Sequence, residues 1–214
     1  MPMSDLFPPW PLFSAFFLAS LLLALSPGPG VLYIVTRSLV QGRRSGLVSV
    51  AGIALGNLAN AALAAVGLGA VFALSTHAFL AVKYAGAIYL IYLGLRMLRA
   101  PDASPAQSVQ APPPGRVFRD GLVVALLNPK TTLFFAAFLP QFLRPDAAPL
   151  GQSLLLGAIF VALAACTDSL YALGAGALAP RFRGGGAARL GRRLGGTLFV
   201  GLGLFTAFSG AHGE

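Results

Sequence analysis

The amino-acid sequence predicts an all-α integral membrane protein, with six transmembrane helices arranged as two inverted three-helix repeats and interruptions in the first and fourth helices. Three observations carry that prediction. The chain of 214 residues is 57% hydrophobic and only 10% charged, with a mean hydropathy of +0.79. A soluble domain carries about 25% charged residues, so this composition leaves too little charge to cover a water-facing surface. The cations are clustered between apolar runs. Finally, two of those runs contain helix breakers, SPGPG at 26–30 and NPK at 128–130.

Six apolar segments follow in order, at approximately 10–36, 47–74, 79–98, 119–142, 150–178 and 194–209. Each approaches or exceeds the roughly 20 residues that a helix needs to cross a bilayer. The N-terminal run is expected to be the first span and not a signal peptide, because Asp5 stands where a basic region belongs and no small-residue cleavage site is evident. Arg37, Arg43 and Arg44 follow the first span. Arg96, Arg99, Arg116 and Arg119 flank the third connection, and Arg181, Arg183, Arg189, Arg192 and Arg193 fill the fifth. These are twelve of the 15 Lys and Arg, whereas the second and fourth connections hold Arg144 alone. Basic loops remain cytoplasmic, which places both termini outside the cytoplasm after six crossings. The net charge of +9 therefore reads as loop bias and not as a nucleic-acid groove.

Residues 100–118 are rich in Pro, Ala and Ser and are expected to form a flexible cytoplasmic linker. They divide the chain into a first three-helix repeat, 1–99, and a second, 119–214. ALSPGPGVLYI, from Ala24, and ALLNPKTTLFF, from Ala125, share an Ala-Leu pair, then a polar residue and proline, then β-branched and aromatic residues. Broken helices at matching positions of inverted halves are the pattern of a secondary transporter that binds its solute at the breaks.

Proline donates no N–H and disfavours helix in the residue before it. Pro27 and Pro29 free the carbonyls of Leu23 and Leu25, and Gly28 and Gly30 let the backbone leave the helix. Pro129 frees the carbonyl of Ala125 beside Asn128 and Lys130. Lipid does not tolerate such backbone, so it must face protein or a wet cavity. A single break would read as a packing kink; two at one depth, one with a lysine, read as a site.

Lys83, Lys130 and Asp168 are the ionisable residues expected inside the spans. Each costs about 2.5–3.5 kcal/mol at a helix centre, which makes it a functional candidate. Asp168 can exchange a proton or pair with Lys130 or Lys83. Gly86, Ala87 and Gly94 share the face of Lys83 and turn it inward. Gly52, Gly56, Asn60 and Ala64 form a stripe suited to packing. Asn57 and Asn60 can bond either a solute or a neighbouring helix. His77 and His212 lie near the outer rim and make a poor metal site. No metal and no cofactor is expected.

LSPGPGVLYIVTRSLVQGRRSGLVSVAGIALGN, KYAGAIYLIYLGLRML and LLNPKTTLFFAAFLPQF occur in that order, and in them the chain resembles the LysE/RhtB family of bacterial amino-acid exporters. The resemblance implies a six-span protein of the bacterial inner membrane that expels amino acids, using the proton gradient. Pro27, Gly28, Pro29, Lys83, Gly86, Asn128, Pro129, Lys130 and Asp168 match positions the family usually keeps. Gly30 departs from it, since members commonly have Asn or Asp there.

The expected function is export of amino acids or close derivatives in exchange for protons, without enzymatic activity. The partners are the amino acid, protons and the lipid bilayer, and no nucleic acid; a homo-oligomer is an open alternative. Lys130 and the positive ends of the broken helices suit a carboxylate, while freed carbonyls and Asp168 suit an ammonium. An ion channel, or a carrier of another small solute, is the rival reading. A membrane thiol-redox enzyme is disfavoured by the single cysteine, Cys166.

Overall fold

The protein is described from a computed structural model over residues 7–68, 75–99, 112–144, 148–182 and 185–208. Within these residues all regular structure is helical: α1 (Trp10–Leu25), α2 (Pro29–Gln41), α3 (Arg43–Leu63), α4 (Thr76–Leu98), α5 (Pro114–Leu126), α6 (Pro129–Leu133), α7 (Pro149–Leu178) and α8 (Gly185–Phe208). A π-helical turn from Ala64 extends α3 as far as a kink at Gly67, whose φ is 92°. Another, Phe134–Phe138, and a 3-10 turn, Leu139–Phe142, extend α6.

The helix ends follow from their residues. Pro29, Pro114, Pro129 and Pro149 each occupy a first helical position, where the missing N–H would be unpaired anyway. α2 stops at Gly42, whose φ of 88° is the left-handed conformation that glycine alone adopts cheaply. Three helices are long and apolar enough to cross a membrane, Arg43–Gly67, Thr76–Leu98 and Pro149–Leu178. The pairs α1–α2 and α5–α6 pass the same test as bent units, with bends of 46° and 47°, so the candidate spans number five if each bent pair is one span. In α8 the apolar stretch is shorter, Arg193–Phe208. The start of α5 at Pro114 lies inside the segment expected to be linker, and residues 100–111 fall outside the described residues.

Helix α3 runs between α5 and α7, and α4 lies along α8. Small residues make both approaches. A methyl group at Gly56 would lie 2.6 Å from Cβ of Ala125, and one at Gly157 would lie 2.7 Å from Cβ of Ala61. Across the second pair, a methyl at Gly94 would lie 2.6 Å from the Gly196 carbonyl, and one at Gly203 would lie 2.7 Å from the Ala87 carbonyl. Helices in lipid associate by such close backbone contact, because lipid tails and apolar side chains attract apolar groups alike. One buried cluster joins Phe16, Phe134, Phe135 and Phe160, with rings of Phe134 and Phe160 4.7 Å apart. A second gathers Tyr33, Ile34, Ile53, Leu93, Val124 and Phe199.

Arg37 and Arg96 are internal and not loop cations. The sequence places Arg37 and Arg96 among loop cations and counts Lys83, Lys130 and Asp168 as the internal ionisable groups. In the fold Arg37 is 4% exposed and Asp120 1% exposed. Asp120 accepts from Arg37 Nη2 at 3.1 Å, Arg96 Nη2 at 2.8 Å and Tyr89 Oη at 3.2 Å. The Arg37 guanidinium also lies 5.1 Å from the centre of the Tyr33 ring. A buried carboxylate is tolerated when it is paired and hydrogen-bonded, and here three helices converge to do so. No local spacing announces a pairing between residues 83 positions apart.

Candidate functional site

The two breaks meet. Gly28, Gly30 and Ser26 from the first break, and Asn128, Lys130 and Thr131 from the second, line one pocket. Helix α3 contributes Ile53 and Asn57 to its wall, and α7 contributes Phe160, Ala164 and Asp168. The α7 residues recur every four positions and so present one helical face. Pro29 is buried beside the pocket, Pro27 is exposed, and Pro129 starts α6 outside the lining.

Backbone groups released by the prolines are met by side chains from the opposite half. Lys130 Nζ donates to the Leu23 carbonyl at 2.9 Å, and to the carbonyl and hydroxyl of Ser26, both at 2.6 Å. Tyr171 Oη donates to the Leu25 carbonyl at 2.9 Å. At the second break, Asn60 Nδ2 donates to the Ala125 carbonyl at 2.9 Å. The Leu23 and Ala125 carbonyls also accept locally, from the Ser26 N–H at 3.3 Å and the Asn128 N–H at 3.2 Å, so these side chains add long-range bonds that tie each break to the opposite half. Gly28 lets the lysine approach: a methyl there would lie 3.3 Å from Lys130 Cδ. The same economy holds at α4, where Gly86 sits directly on the Leu127 carbonyl.

Asn128 caps α6. Its Oδ1 accepts from the Lys130 N–H at 3.1 Å, and its carbonyl accepts from the hydroxyls of Thr131 and Thr132. α2 has no side-chain cap, so the N–H groups of Gly30 and Val31 stand at the pocket wall without one. Asp168 is 6% exposed and lines the pocket with Lys130, yet they form no ion pair. Asn57 is 4% exposed and its Oδ1 has no hydrogen-bond partner.

Of the residues singled out from sequence, Gly28, Gly30, Asn57, Asn128, Lys130 and Asp168 share this pocket. Asn60 faces a different cavity, of about 220 Å³, with Thr132 and Val82. Lys83 is buried but lies outside the pocket, its Nζ 5.3 Å from the centre of the Tyr84 ring. His77 is exposed, and His212 lies outside the described residues. Sequence reasoning missed Tyr171, Phe160 and Ile53. Tyr171 and Phe160 were within reach of it, since they lie three residues after and eight before Asp168 on one face of α7.

Residues 21–210 match the family model of the LysE type translocators. A homoserine/homoserine lactone efflux protein of Salmonella typhimurium is 42% identical over 144 residues, covering 67% of this chain and 70% of its own. An uncharacterised membrane protein of Pseudomonas aeruginosa is 33% identical over 201 residues, covering 90% and 93%. A leucine efflux protein of Salmonella typhimurium is 28% identical over 190 residues, covering 87% and 90%. No solved structure matches the chain.

Proposed function

The chain belongs to the LysE type translocator family, and from that premise we propose that it exports amino acids or close derivatives across the bacterial inner membrane, driven by the proton gradient. It is a transporter and not an enzyme. The observation that carries the reading is the meeting of both breaks on one pocket that holds Lys130 and Asp168. Homoserine and leucine, named for its relatives, have an ammonium and a compact uncharged side chain; the pocket encloses about 40 Å³, so the halves must part further to admit either.

In this reading α8 completes six crossings, the halves are inverted repeats, and both termini are extracytoplasmic. The near-equal bends support the repeat, as does the exchange of hydrogen bonds between the halves at the breaks. The halves rock against each other around the pocket. Asp168 carries the coupling, because one carboxylate can hold a proton or an ammonium but not both. A proton entering on one face thereby releases the solute brought from the other.

The test uses purified protein in proteoliposomes with an imposed pH gradient. Asp168→Asn is expected to permit exchange of labelled amino acid but to abolish uphill movement. Should Asp168 serve only to balance Lys130, Asp168→Asn would lower protein stability and leave the dependence on the pH gradient unchanged. Normal uphill export by a well-folded Asp168→Asn protein would end the coupling proposal.

A further inference from the structure

The donors and acceptors around the pocket are unequally committed. Lys130 directs its ammonium to three acceptors of its own protein, the Leu23 carbonyl and both oxygens of Ser26. An ammonium has three N–H bonds, so the lysine has none left for a solute carboxylate while it holds the first break. The acceptors are the reverse. No donor among the described residues reaches the Asp168 carboxylate, and Asn57 Oδ1 has no partner, although both residues are more than nine-tenths buried. A buried amide oxygen such as that of Asn57 is costly unless something bonds it.

The other polar groups facing the pocket are neutral. The uncapped N–H groups of Gly30 and Val31 open α2 beside it. A neutral N–H bonds the carbonyl of an amide or ester as well as an oxygen of a carboxylate. Ile53, Phe160, Ala164 and Val31 make the rest of the wall apolar.

On the reading of this pocket as the solute site, we infer that the transporter recognises its solute by the amine, through Asp168 and Asn57. The carbonyl end is held by the neutral N–H groups of α2, so a free carboxylate is dispensable. Homoserine lactone, named for one relative, lacks a free carboxylate, and the amine is the group that the solute class, small primary amines with an uncharged side chain, shares. Lys130 acts as a positioning residue that holds the first break in place.

The experiment is counterflow in proteoliposomes with labelled alanine, leucine, lysine and glutamate. The faster of alanine and leucine is then competed with its amide, which keeps the amine and lacks the carboxylate. Its 2-hydroxy acid, which keeps the carboxylate and lacks the amine, is the matched control. The amide is expected to compete within about 10-fold of the parent and the hydroxy acid at least about 100-fold more weakly, since bonds to a charged group dominate. Asn57→Leu is expected to weaken parent and amide alike by about 10-fold or more, with the protein still inserted and monodisperse. Competition by the hydroxy acid but not the amide would overturn the inference and leave amino-acid export standing. Exchange of lysine or glutamate without alanine or leucine would do the same. Exchange of no amino acid would overturn both.

Discussion

Asp120→Ala removes three hydrogen bonds at once and leaves Arg37 buried without its counter-charge. Two unit charges about 4 Å apart interact by about 4 kcal/mol at an effective dielectric near 20. Removing one member of a buried pair costs about 3–5 kcal/mol. The Arg37 side chain is 5% exposed and its Nε already lacks a partner, so the full penalty applies to it. Arg96 contributes less, about 1 kcal/mol at most, because its side chain is 30% exposed and can turn to water. The expected loss is therefore about 4–6 kcal/mol, a large share of a typical stability of about 5–15 kcal/mol. At about 2–4 °C per kcal/mol for a chain of this size, the aggregation midpoint in detergent should fall by roughly 10–20 °C. Size-exclusion chromatography after heating, together with the amount of protein in membranes, measures it. The double variant Arg37→Met with Asp120→Leu removes both buried charges and should recover most of the loss. Wild-type accumulation and melting of Asp120→Ala, or a double variant no better than the single, would refute the assignment of a buried charge network.

Two further outcomes are expected. Gly86→Ala drives a methyl group into the Leu127 carbonyl at the second break and should cost about 1–3 kcal/mol, while Gly201→Ala, with nothing within 4 Å, should be neutral or gain up to about 1 kcal/mol; the same melting assay compares them. Reporter fusions after Leu74 and Phe142 should read as extracytoplasmic and a fusion near Val109 as cytoplasmic, and reversed signals at two of these sites would overturn the proposed orientation and the inverted repeat with it.

The class of molecule and the places where its helices fail were legible in the amino-acid order alone. Long apolar runs have few stable homes but lipid, and a proline inside one must release a carbonyl four residues earlier, wherever the helix ends up. The carbonyls of Leu23, Leu25 and Ala125 could therefore be named as acceptors in need of a donor before any fold was known. What takes them could not. Lys130, Tyr171 and Asn60 reach those carbonyls across separations of 107, 146 and 65 residues, and only packing brings them there. The same limit explains Asp120. Read locally, Arg37 and Arg96 are loop cations beside a basic connection; they become internal charges only because three helices converge on one carboxylate. Local sequence fixes which backbone groups a helix must leave unpaired. Tertiary structure decides which side chains answer them, because that choice depends on distances through space that no spacing along the chain encodes.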